Sequence, residues 1–131
     1  MANLRITLAG LELDNPVMLA SGILDSTPGI LQRMAETGAG ALITKSISLQ
    51  PRPGYPGPTT VEIAPGTWIN AMGLPNPGLE EFVNEFPLTT LSVPVIPNLV
   101  ADTADEFARL AAGVAAAGAT IAEINLSCPH P

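Results

Sequence analysis

The sequence predicts an α/β fold built on a parallel sheet, and three observations carry that prediction. Short runs that are apolar throughout recur along the chain, each is followed by a segment with apolar residues at helical spacing, and glycine or proline marks the joins. A strand apolar on both faces needs cover on both faces. Parallel strands under helices supply it.

The elements follow in order. "LRITLAGLELDNP" alternates apolar and polar residues around Ala9 and Gly10, which predicts a short β-hairpin ahead of the repeating pattern. "PVMLAS" (residues 16–21) is the first buried strand. Thr27 and Pro28 then open a helix with Ile30, Leu31, Met34 and Ala35 on one face, closed at Gly38. "GALIT" (40–44) is the second strand. Residues 46–78 hold seven of the chain's fourteen prolines, a density incompatible with helix or central strand. This is an ordered insertion of the length that usually carries function. Within it "VEIAPGTWIN" predicts a small hairpin.

Asn76 and Pro77 are expected to start a second helix, Asn76 as its cap, with Leu79, Phe82, Val83 and Phe86 inward. "VPVIPNLV" is the third strand. Thr103 and Glu106 form a capping box for a third helix whose stripe is Phe107, Leu110, Ala111 and Val114, ending at Gly118. "TIAEINL" is the fourth strand. Two architectures accommodate this order, an open doubly wound sheet and a (β/α)8 barrel. No "GxGxxG" follows any strand, which counts against a dinucleotide-binding open sheet. A barrel needs about 250 residues, so four strand-helix units are its first half.

Bulk properties narrow the function. The chain has 131 residues, 47% apolar and 13% charged, which excludes a disordered chain and leaves enough material for a buried core. Its apolar runs are too short to span a bilayer, and its start has no basic region leading into a long apolar stretch. One cysteine excludes a disulfide scaffold. The expectation is a cytoplasmic protein without a membrane element. A net charge of −7, with five scattered basic residues, offers no footprint for nucleic acid.

Polar residues collect at the carboxyl ends of the expected strands. Ala20, Ser21 and Gly22 end the first, Thr44, Lys45 and Ser46 the second, Asn98 the third, and Asn125, Ser127 and Cys128 the fourth. In a parallel sheet these ends share one edge, where both the barrel and the open sheet place their active sites. Ser and Asn end strands routinely. The only Lys and the only Cys of the chain carry more information. Cys128 is a candidate proton acceptor where a site favours its thiolate, and Lys45 a candidate anion-binding or thiolate-stabilising charge. His130, the only histidine, is a rival acid or base or else a solvated tail residue. With no second Cys or His, no metal site is expected. In "NAMGLPN", Gly73 lets a ligand approach the main chain, while the amides of Asn70 and Asn76 suit a heterocycle with alternating carbonyl and N–H edges. For Asn76 the structural role as a helix cap is preferred.

Taken together, "NPVMLASG", "TKS", "NAMGLPNPG" and "NLSCPH", in this order and spacing, resemble the first half of class 1 dihydroorotate dehydrogenases across nearly the whole chain. The resemblance implies the N-terminal half, residues 1–131, of an FMN-binding (β/α)8 barrel that ends after strand four. It implies oxidation of dihydroorotate to orotate in pyrimidine biosynthesis. Ala20, Ser21, Gly22, Lys45, Ser46, Asn98 and Asn125 match flavin contacts. Lys45, Asn70, Met72, Gly73, Leu74 and Asn125 match substrate contacts. Cys128 matches the catalytic base, and Lys45 the family lysine between flavin and substrate that stabilises negative charge on both.

Class 2 enzymes use Ser as base and carry an N-terminal membrane element, so Cys128 points to class 1. "GLELDNPVMLASG" and "NPGLEEF" are closest to the class 1B type, which pairs with an iron-sulfur and FAD subunit and uses NAD. A homo-oligomer is expected of the full-length protein, and an inactive chain of residues 1–131 alone. His130 departs from the Asn of many class 1 enzymes and matches the "SCPH" of dihydropyrimidine dehydrogenases. The alternatives are therefore a reductase of that type or a non-catalytic half-barrel.

Overall fold

The computed structural model describes residues 3–22 and 24–128. It opens with an antiparallel hairpin, β1 (Ile6–Leu8) and β2 (Leu11–Leu13), in register Ile6 to Leu13. Ala9 and Gly10 both adopt left-handed conformations, the two-residue turn whose twist matches a hairpin. The hairpin is where the alternating pattern predicts it.

Parallel pairing then begins. The strand β3 (Met18–Leu19) pairs with β4 (Ala41–Ile43), which pairs with β7 (Val95–Ile96). Next, β8 (Asn98–Val100) pairs with β9 (Glu123–Asn125), also in parallel. A bridge between Ile47 and Leu99 joins the two groups, so the parallel segments lie side by side in chain order.

Three helices make the crossovers: α1 (Pro28–Ala35), α2 (Leu79–Glu85) and α3 (Ala104–Ala116). Thr27 caps α1 and Thr103 caps α3, each hydroxyl accepting an N–H three residues on. The Glu106 carboxylate accepts the Asp102 N–H at 3.0 Å, one residue before the reciprocal partner of an ideal capping box. At the other end of α3, Gly118 sits at φ +100°. Its N–H reaches Ala115 O, and the Ala119 N–H reaches Val114 O, a Schellman closure that a side chain at 118 would strain.

The two faces of the parallel strands are covered differently. Leu42, Ile47 and Leu99 pack under the helices with Leu31, Phe82, Phe86, Leu110 and Val114. Ala41, Ile43 and Ile96 point the other way, into a second cluster with Leu13 and the partly buried apolar residues of the hairpin. The Phe82 and Phe86 rings stack at 4.4 Å between centroids.

Four expectations are corrected. The third strand is two, because Pro97 has no N–H to donate and divides β7 from β8; its carbonyl instead accepts the Glu123 N–H at 2.9 Å. The second helix begins after Gly78, not Asn76. Ala111 is exposed on α3; the close approach comes at Gly113, where a Cβ would stand 2.6 Å from Leu79 Cδ2. Finally, β9 is not buried on both faces, with Ile124 45% exposed and Leu126 just beyond it 83% exposed.

Candidate functional site

The proline-rich insertion contains the predicted hairpin, β5 (Thr60–Ala64) with β6 (Thr67–Asn70), and then returns to the parallel strands through residues 71–78. Its two limbs are tied together. Arg52 and Asn76 exchange both backbone hydrogen bonds, and the Tyr55 N–H donates to Met72 O at 2.9 Å. Between these ties Gly73 and Leu74 are consecutively left-handed, at φ +71° and +52°. A buried Leu held there is strained, and surrounding structure must enforce it. The close contact of Gly73 with Tyr55 shows the enforcement: a Cβ on Gly73 would come within 2.9 Å of Tyr55 N.

This pinned loop forms one wall of a 470 Å³ cleft at the carboxyl ends of β3 and β4. Asn70, Met72, Gly73 and Leu74 line it from the insertion, Ala20 and Gly22 from the turn after β3, Lys45 from the end of β4, and Cys128 from beyond β9. Leu19 and Leu24 complete an apolar lining with few polar groups, the make-up of a small-molecule site. Eight of the residues singled out in the sequence therefore meet around one space.

Ser21, Ser46, Asn98 and Asn125 do not line it. Ser46 is buried beyond the end of β4, and Asn98, expected to end the third strand, is instead the buried first residue of β8, because Pro97 divides that strand and pairing resumes after it. The Asn125 amide donates to Ser46 Oγ at 3.3 Å, and its Oδ1 accepts the Ser127 N–H, turning the chain that leads into Cys128. Asn125 and half-buried Cys128 also border a neighbouring 290 Å³ hollow together with Arg52. Asn98 donates its N–H to Thr44 Oγ1 and its amide to Glu123, leaving Oδ1 buried without a partner among the described residues. His130 lies outside the described residues.

Asn76 is excluded from ligand contact by its own bonds. Its Oδ1 accepts the N–H groups of Ser48 and Gly78, and its amide donates to Ser48 Oγ and Leu74 O. It organises the loop rather than capping α2.

One residue escaped the sequence reading. Asp25 is fully buried behind the turn at Gly22, whose N–H donates to Asp25 Oδ2 at 2.6 Å. Among the described residues its other oxygen has no hydrogen-bond partner. Burial pushes its carboxyl above the ordinary 3.8, while N–H groups and the Lys45 charge pull it down. An Asp in "ILDSTP" reads as a loop residue, and nothing in the sequence signals its burial.

Comparison with known proteins settles the family. The dihydroorotate dehydrogenase family model matches residues 3–131. The chain belongs to the dihydroorotate dehydrogenase family. It is 46% identical over 128 residues to the catalytic subunit of dihydroorotate dehydrogenase B (NAD(+)) from Pyrococcus furiosus, covering 98% of this chain and 42% of that protein. Against the Pyrococcus horikoshii protein of the same name it is 49% identical over 127 residues, covering 97% and 41%. The chain thus spans about two-fifths of the length of these dihydroorotate dehydrogenases. A solved dihydroorotate dehydrogenase from Eimeria tenella, crystallised with ferulenol, superposes with a TM-score of 0.69 at 22% identity, over 98% of this chain and 38% of that one. The fold is shared with part of that enzyme.

Proposed function

We propose that this chain is the N-terminal, truncated portion of a single FMN-binding (β/α)8 barrel domain, and that the complete polypeptide oxidises dihydroorotate to orotate. The observation that carries the reading is the convergence of Lys45, Asn70 and Cys128, from three separate segments, on one cleft beside Ala20 and Gly22. Helices on one face only, with the hairpin covering the other, favour a barrel over an open sheet, which carries helices on both.

The residues fit a flavin. An apolar lining with few polar groups suits the face of a ring system. Ala20, Gly22 and Lys45 line the cleft and would hold the cofactor, whereas Ser21, Ser46, Asn98 and Asn125, also expected to do so, do not line it. When bound, FMN supplies the acceptor for the hydride equivalent leaving C6 of dihydroorotate.

The chain's own groups do the rest. Cys128 would take the proton that leaves C5 of the substrate. The Lys45 ammonium binds the substrate carboxylate and stabilises negative charge that accumulates beside it. Asn70 would offer its amide to the pyrimidine edge, the Gly73 main chain would permit close approach, and Met72 and Leu74 would exclude water.

The B-type relatives are named catalytic subunits of an NAD(+) enzyme, which favours the class 1B reading with an iron-sulfur and FAD partner subunit. No helix among the described residues is long and apolar enough to cross a membrane. The test is Cys128→Ala in the complete flavin-loaded polypeptide. Turnover with dihydroorotate should fall by about 10²- to 10⁴-fold with the flavin retained. Near-normal turnover overturns the assignment.

A further inference from the structure

Cys128 stands between two spaces. On one side is the cleft, and on the other is the 290 Å³ hollow, with Cys128 and Leu74 bordering both. Their linings differ. The cleft is mainly apolar, whereas the hollow presents Arg52, Asp102, Asn125 and Ser127. A polar space of this size has room for several waters, with polar partners to hold them. It also reaches the surface, because part-buried Arg52 pairs at 3.6 Å with the exposed carboxylate of Asp102, and exposed Leu126 lies on the same wall.

The proposed reaction needs such a space. A proton passed to the Cys128 sulfur must leave it before the next turnover, and a ligand in the cleft, walled by Met72 and Leu74, keeps water from the sulfur on that side. The hollow offers water on the other.

We propose that the hollow is the exit for this proton. Water in the hollow takes the proton from the Cys128 thiol and hands it to solvent past the Arg52 and Asp102 pair; the S–H bond breaks, an O–H bond forms, the thiolate is restored and no electrons are transferred. Ser127 can relay the proton, because a hydroxyl donates and accepts at once. Asn125, tied to Ser46 Oγ and to the Ser127 N–H, orients the water. The inference rests on reading Cys128 as the base and adds the route by which that base is regenerated.

Ala101 borders the hollow and not the cleft. Ala101→Phe therefore fills the exit while every cleft residue stays in place, and Ala101→Leu fills it in part. Three measurements on the complete flavin-loaded polypeptide test the idea. Single-turnover reduction of the flavin by dihydroorotate requires only that the proton reach sulfur, so it should keep the wild-type rate. Steady-state turnover should fall several-fold in Ala101→Phe and less in Ala101→Leu, and its slowing in D2O should grow. With orotate saturating the cleft, methyl methanethiosulfonate, a small neutral thiol reagent, should modify Cys128 several-fold more slowly in Ala101→Phe than in wild type, as read by peptide mass spectrometry. Without orotate the two should react alike.

Unchanged turnover and unchanged labelling overturn the exit and assign proton release to the opened cleft. A fall in single-turnover reduction equal to the fall in turnover also overturns it, since the effect then lies in the cleft. Where Ala101→Phe does not hold flavin, Ala101→Leu and Ser127→Ala, which removes the relay hydroxyl, decide by the same readings. Wild-type protein whose flavin dihydroorotate does not reduce sinks the reading of Cys128 as base, and the exit with it.

Discussion

Asn76 and Ser48, twenty-eight residues apart, hold each other by three contacts: Asn76 Oδ1 accepts the Ser48 N–H at 3.1 Å and lies 3.2 Å from Ser48 Oγ, and the Asn76 amide donates to that hydroxyl at 2.9 Å. Both residues are buried. Because the same amide also reaches Leu74 O, the pair locks the loop carrying Met72, Gly73 and Leu74 against the segment after β4. Replacing Asn76 by Ala would strand the N–H groups of Ser48 and Gly78. Stability should fall by about 2–6 kcal/mol, at roughly 1–3 kcal/mol for each of the two buried groups left unsatisfied. Urea unfolding of the complete protein measures it, and a loss under about 0.5 kcal/mol would contradict this account of the loop.

Gly40 lies where the chain enters β4, and a Cβ there would overlap the Asn15 carbonyl oxygen and stand 3.0 Å from its carbon. Backbone cannot give way as a flexible side chain can. Gly40→Ala should cost about 1–3 kcal/mol from overpacking. A melting temperature equal to that of the parent would show the contact to be looser than described.

Asp25 makes stability depend on pH in an unusual direction. Its folded pKa is raised above 3.8 chiefly by burial, so between those two values the folded state binds more protons than the unfolded one, and stability falls as pH rises. The penalty is absent below about pH 3.8, grows across the window and is complete above the folded value. Asp25→Asn should therefore gain stability over wild type at neutral pH, with the gain vanishing towards pH 3.5. A gain that instead grew on acidification would reverse the sign.

Lys45→Ala should weaken orotate binding and slow reduction of the flavin by dihydroorotate, since an ammonium placed at a cleft needs an anionic partner to offset its desolvation. Single-turnover absorbance at the flavin band isolates that step. A wild-type rate and affinity would return Lys45 to a purely structural role.

The 131-residue chain expressed by itself should self-associate and hold FMN weakly or not at all. Val17 beside β3 is 66% exposed, and Ile124 and Leu126 at β9 are also open, so apolar side chains flank strand edges that have no neighbour among the described residues. Such edges recruit other chains. Sedimentation velocity should show oligomers that Leu126→Lys reduces. A monomer holding one FMN per chain would refute the half-barrel reading.

Much of this was legible in the sequence, for local reasons. The Ala9-Gly10 turn, the Thr27 and Thr103 caps, the Gly118 closure and the hairpin in the insertion each depend on residues a few positions apart. The strand-end pattern placed Lys45 and Cys128 together because parallel strands share one carboxyl edge. What only the tertiary structure decided depends on distant partners. The role of Asn76 requires Ser48, and the division at Pro97 requires β4 and β9 as separate neighbours. Likewise, Gly113 meets Leu79 of another helix, and Ser46 and Asn98 are buried without lining the cleft. Asp25 is the clearest case. Its chemistry comes from complete burial beside Gly22 and from the field of Lys45 twenty residues on, and desolvation is a property of the packed volume around a side chain, which no run of neighbouring letters encodes.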